Sequence, residues 1–241
     1  MDFWRHIEWQ RPWLAPYRAD GERVADRLER GECLVDALNA LAAAPVRFVA
    51  QHELPAGAAY EAFIARTACV PTRDNLHDLF NALVWLRFPA LKRRLNALQA
   101  AQIARAGIGA TRGAVRDALT LFDENAALWQ APPCLVNALR ARDWKALFIT
   151  HRKAWRDARI TLFGHALLDK LTQPRKAITA HLWVLPEAVD AQAHLVDTLT
   201  PEMLAGKPHL PLPVLGVPGW WLANESEGFY DDPGVFRAAR G

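Results

Sequence analysis

Apolar residues return every three or four positions through the first two-thirds of the chain, the spacing that gives a helix one buried stripe. Val24, Leu28, Leu34, Leu38 and Leu41 fall near one face of a helix predicted over 21–43 and stopped by Pro45. Shorter helices are predicted at 58–66 and 75–87, and Pro89 suits the first turn of another over 89–106, closed by Gly107-Ile108-Gly109. The same period predicts helices at 112–122, 134–141, 143–156, 160–171 and 189–204. Arg47 to Leu54 reads as a short extended piece. The best strand is Ala177 to Leu185, bounded by Pro174 and Pro186 but without an evident partner.

Beyond residue 206 the helical period disappears. Pro208, Pro211, Pro213 and Pro218 interrupt regular structure, while Gly216, Gly219, Gly228 and Gly234 mark turns. The segment also carries Leu210, Leu212, Trp220, Trp221, Phe229, Tyr230 and Phe236, too much apolar surface for a solvated linker. The expectation is a mainly α, single globular helical domain over 1–241 with at most a small sheet. Its helical body spans 1–206, and a long irregular, Pro/Gly/Trp-rich segment, 207–241, packs on that body.

Within this pattern the helix at 75–87 is unusual, because polar groups interrupt its apolar positions. His77 and Asn81 stand one turn apart, with Asp74 and Asp78 on an adjoining stripe. Burying such groups unpaired costs about 1–3 kcal/mol each, so something satisfies them or uses them. One reading makes His77 a general base or metal ligand, held by Asp78, Asn81 or a distant carboxylate. The other is a helix capped by Thr72 or Asp74 whose His77 and Asn81 satisfy nearby backbone.

A second polar cluster runs from Arg112 to Asn125. There Arg116, Thr120 and Asp123 share one stripe, and Asp117, Thr120 and Glu124 an overlapping one. Carboxylates seven apart can share a divalent ion or divide acid and base roles; alternatively Arg116 and Asp123 form an ion-pair ladder. His165 and His181 lie in apolar runs, where histidine is more often a satisfied core group than a ligand. Together these positions name candidates: His77, Asp78, Asn81, Arg116, Asp117 and His165 for catalysis, and His77, Asp117, Asp123, Glu124, His165 and His181 for a divalent metal. Asp232 before Pro233 reads as a turn, and Asp231 as an open candidate for a lid contact.

Composition removes several alternatives. The chain has 241 residues, 51% hydrophobic and 23% charged, as for an ordinary folded protein. Its one serine, Ser226, lies between Glu225 and Glu227, which oppose an alkoxide, so serine catalysis is set aside. Gly107, Gly109 and Gly113 miss the dinucleotide-loop spacing by one residue. Three cysteines, widely spaced, with no signal peptide and no membrane-length apolar run, predict a cytoplasmic protein without membrane attachment. The ten tryptophans are core mass, and Trp4, Trp9 and Trp13 predict an amino-terminal segment packed against the body.

Basic residues form two runs, Arg87 to Arg116 and Arg140 to Arg159, the latter interleaved with Trp144, His151 and Trp155. Such runs suit phosphate or nucleic acid, or are simply solvated helix faces; a net charge of +3 is too mild to choose.

Val70 to Asp78, Arg116 to Asn125, Phe163 to Leu167, Gly216 to Trp221 and Phe229 to Asp232, taken together, resemble a bacterial family met mainly in proteobacteria and known only as a domain of unknown function. The resemblance spans nearly the whole chain and implies no activity. One departure is Ala126, where glycine often follows Asp-Glu-Asn, so a tight turn is not implied there. The leading functional expectation is a hydrolase of a phosphorylated or otherwise anionic small molecule, using His77 with acidic partners, arginines as anion clamps and a divalent metal. The His77-Asp78 doublet invites comparison with phosphohydrolases, with His52 and Asp117 as permissive partners. The rival is a non-enzymatic nucleic-acid-binding or assembly protein.

Overall fold

Helix punctuation in the sequence accounts for the order of elements in the computed structural model, which describes residues 2–41, 46–106 and 113–238. The long helix expected over 21–43 is two, α1 (Arg18–Glu29) and α2 (Leu34–Asn39), because Gly31 adopts φ +88, a conformation that ends a helix. Then follow β1 (Arg47–Ala50), α3 (Tyr60–Thr67), β2 (Cys69–Thr72), α4 (Leu76–Arg87) and α5 (Pro89–Ala106). Asn75 caps α4 by accepting from the Asp78 N–H at 2.8 Å, and Pro89 opens α5. The expected Gly107-Ile108-Gly109 turn, Arg112 and the last residues of the tail lie outside the described residues.

The second half differs more from expectation. Helix α6 (Ala114–Asn125) runs directly into β3 (Ala126–Gln130), followed by α7 (Pro133–Arg140). The helix expected at 143–156 is a π turn at Ala146–Thr150 and a 3-10 turn at Arg152–Asp157. The one expected at 160–171 divides into β4 (Arg159–Leu162) and α8 (His165–Lys170). After β5 (Thr179–Val184), the 189–204 region forms α9 (Ala191–Thr198) and α10 (Pro201–Ala205). The proline-rich tail contributes β6 (Leu210–Pro213), so it is not irregular throughout.

Among the described residues the protein is mainly α with two small sheets. One is the parallel pair β1–β2; the other has the order β4-β3-β5-β6, with β3 and β5 parallel and both outer pairings antiparallel. Strand β5 thus has partners on both sides. Its His181 registers with Pro211, and prolines are tolerated on β6 because it is an edge. Ala126 is extended (φ −71, ψ 145), so glycine is not needed at the α6–β3 junction.

Trp9 and Trp13 are buried, as the amino-terminal pattern predicts. Tyr230 and Phe236 are buried in the same core cluster, with Trp220, Trp221 and Phe229 packed against it. Asn224 ties the tail together, donating from Nδ2 to the carbonyls of Leu215 (2.7 Å) and Val217 (2.8 Å). Among the described residues no helix is long and apolar enough to cross a membrane.

Candidate active site

The amino terminus of α8 rests against the carboxy-terminal end of α6. The N–H groups of Phe163 and Gly164 both donate to the Ala126 carbonyl, at 2.9 and 2.8 Å. A Cβ on Gly164 would lie 2.4 Å from the Glu124 carbonyl oxygen and 2.5 Å from Asn125 N, so only glycine permits this approach. The next residue, His165, is thereby placed beside Asp123 of α6 and opposite His77 of α4.

The two imidazoles meet edge to face, Nε2 to Nε2 at 3.1 Å. His165 is buried, and its Nδ1 lies 3.6 Å from Asp123 Oδ2. The other Asp123 oxygen accepts from Lys92 Nζ at 2.5 Å, and Lys92 donates also to Asn81 Oδ1 at 2.9 Å while lying over the Trp85 ring. Asn81 Nδ2 donates to the Tyr60 hydroxyl at 3.1 Å. His77 is half-exposed, with Nδ1 4.0 Å from Asp169 Oδ2. The result is a row of groups, Lys92, Asp123, His165, His77 and Asp169, running from the interior to the surface.

Electrostatics follow from that order. Burial pushes Asp123 upward, but Lys92, with the imidazoles behind it, outweighs burial and holds the carboxyl below its ordinary range. Burial lowers His165 to about 4, against the pull of Asp123 in the other direction, so it is neutral at neutral pH. His165 Nδ1 makes no hydrogen bond to any described residue, but the ionised Asp123 3.6 Å away favours the proton there by its charge, which leaves the Nε2 lone pair facing His77. Burial raises both Tyr60 and Asp169.

Tyr60, His77, Asn81, Asp123 and His165 line a cleft of about 450 Å3, with Glu61, Arg73, Gln99, Arg116, Thr120 and Glu124 among its other walls. Of the sequence candidates, His77, Asp78, Asn81, Arg116, Asp123, Glu124 and His165 converge there. Asp117 is exposed and does not line the cleft. His181 is elsewhere, stacked on His209 with ring centroids 4.4 Å apart, and burial followed by the His209 charge lowers it to about 4. His52 is exposed in a 3-10 turn. Asp78 serves structure rather than His77: its oxygens accept from the Arg73 N–H (2.7 Å), Nε (3.0 Å) and Nη2 (2.9 Å), fixing the turn into α4. Asp123 pairs with Lys92, not with Arg116. Among the described residues no three His, Cys, Asp or Glu side chains converge as a metal-holding group, so the six metal candidates do not form one cluster.

Three groups, Lys92, Tyr60 and Asp169, are absent from the sequence candidates. Lys92, Asn96 and Gln99 are all buried on α5 at spacings of four and three. That polar stripe on a helix otherwise packed through Leu91, Leu95 and Leu98 was the available signal. Other members of the basic runs have internal partners: Arg94 donates to the Leu199 carbonyl, and Arg152 to Asn224, Tyr230 and Glu225.

A buried lysine–carboxylate–imidazole row opening through a second imidazole into a polar cleft defines a candidate acid–base centre on a mainly α scaffold. The chain belongs to the family described as protein of unknown function DUF3025, whose model matches residues 46–240 and so spans every residue of the cleft. No curated protein and no solved structure matches it.

Proposed function

We propose that this protein is an enzyme, a hydrolase of a phosphorylated or otherwise anionic small molecule, with His77 and His165 as its acid–base pair. The reading rests on one observation above all: the 3.1 Å contact between a half-exposed imidazole and a buried neutral one backed by Asp123. His77, proton on Nε2, takes a proton from the attacking water at Nδ1 and passes its Nε2 proton to His165. The resulting imidazolium faces ionised Asp123. As the new bond from water forms and the bond to the leaving oxygen breaks, the proton returns through His77 to that oxygen, and the net change is addition of one water. Asp169, 4.0 Å from His77 Nδ1, favours the proton on that nitrogen once it has been taken from water, and Arg116 supplies a cation on the cleft wall.

The same reading places the chain in the bacterial cytoplasm, where its three free cysteines stay reduced, as one domain whose carboxy-terminal segment closes over the helical body. The test is a hydrolysis screen of phosphomonoesters, phosphodiesters and carboxylate-bearing esters and amides. Any substrate turned over should lose about 100-fold or more in kcat with His165→Gln, the usual size of a general acid–base contribution. Failure to hydrolyse any member of the panel, or an active His165→Gln, overturns the proposal.

A further inference from the structure

Sorting the charges of the cleft by partner leaves two groups over. Arg73 is paired with Asp78 at 2.9 Å, and Lys92 with Asp123 at 2.5 Å. The Glu61 carboxylate accepts from the Asn96 amide at 2.5 Å. Arg116 and Glu124 make no side-chain hydrogen bond or ion pair to any described residue, and Arg116 Nε is shut off from water as well. With Nε sealed inside the protein, the Nη groups are what Arg116 presents to the cleft, and the partner that best suits an unpaired guanidinium there is an oxyanion. Both residues line the cleft from α6, eight positions apart, which is about 12 Å of helix rise. Thr120 lies midway on the same wall, its hydroxyl 3.5 Å from the Gln99 amide.

We propose that the cleft binds a zwitterionic small molecule, its anionic group on Arg116 and its cationic group beside Glu124. This deepens the hydrolase reading and rests on it only for the chemistry, not for the binding. With Asp78 paired to Arg73 and Asp123 to Lys92, the walls keep the carboxylates of Glu61 and Glu124 against the one cation of Arg116, so a second anionic group on the ligand meets repulsion. A neutral remainder leaves Glu124 without a partner. An ammonium satisfies it. Because Asp123 and Glu124 are neighbours at the imidazole end of α6, the anion on Arg116 is a handle two turns from the His77–His165 pair. The bond to be broken therefore lies toward Glu124.

Three probes of one length separate the possibilities by titration calorimetry: 4-aminobutyl phosphate, butyl phosphate and butane-1,4-diol bisphosphate. Aminobutyl phosphate should bind at least tenfold more tightly than butyl phosphate, and the bisphosphate more weakly than either. Arg116→Gln should abolish phosphate binding and Arg116→Lys restore part of it, while Glu124→Gln should remove the advantage of the amine. Absence of binding by all three, a preference for the bisphosphate, or unchanged affinities in both Arg116 variants overturns the proposal. Binding with this pattern by a protein that hydrolyses nothing sustains the ligand class and defeats only the hydrolase reading.

Discussion

Replacing Lys92 by methionine tests the interior end of the row. The methionine fills the lysine's space over Trp85 but strands the buried Asp123 carboxylate and leaves Asn81 Oδ1 without its donor. Removing one partner of a buried ion pair costs about 3–5 kcal/mol, and an unpaired amide oxygen adds roughly 1 kcal/mol. A loss of about 4–6 kcal/mol is therefore expected, a large part of the roughly 5–15 kcal/mol that holds a typical domain folded. Urea unfolding followed by tryptophan fluorescence reads it directly. The double substitution Lys92→Met with Asp123→Leu removes the stranded charge and should recover at least about 2 kcal/mol of the loss. The single variant's deficit should also shrink as pH falls, because a protonated Asp123 needs no cation. A single-variant cost below about 1.5 kcal/mol, or a double variant as unstable as the sum of the two singles, would show that water rather than Lys92 satisfies Asp123.

Two further outcomes follow from the same geometry. His165 is held near 4 in the folded chain against an ordinary 6.5, so on acidification the unfolded chain takes up the proton first. Its contribution is complete above about pH 6.5 and is lost by about pH 4, a fall of roughly 3 kcal/mol that His165→Gln should remove from unfolding midpoints measured across that range. Gly164→Ala drives a Cβ into the backbone of Glu124 and Asn125, at 2.4 to 2.6 Å, and should lower Tm by about 5–10 °C. Gly57→Ala meets only an unfavourable φ of +78 and open space, so calorimetry should find it milder; the reverse order would contradict the account of the α6–α8 contact.

What the sequence made legible is what local chemistry decides. Pro89 and the 3.6-residue period place α4 and α5 almost to the residue, although the cap of α4 is Asn75 rather than Thr72 or Asp74, and polar groups interrupting apolar faces identify His77, Asn81, Asp123 and His165. Strands β3, β4 and β6 were not legible because their identity comes from their neighbours. Ala126 to Gln130 is a short apolar run continuous with a helix, and Leu210 to Pro213 becomes a strand only by pairing with β5. Lys92 escaped for a related reason: in the chain it belongs to a basic run, and the carboxylate that explains it lies 31 residues away. Asp117 was drawn in by its helical spacing from Glu124 and His181 by its apolar run, and the fold sends one to solvent and the other to a stack with His209.

The most direct test of the central claim, a neutral His165 presenting Nε2 to His77, is the long-range imidazole 1H–15N spectrum of the uniformly labelled protein between pH 5 and 8. The account predicts His165 as the Nδ1–H tautomer throughout, with an Nε2 shift typical of an unprotonated nitrogen accepting a hydrogen bond, and no titration until about pH 4. A His165 protonated on Nε2, or one titrating near 6.5, would contradict it.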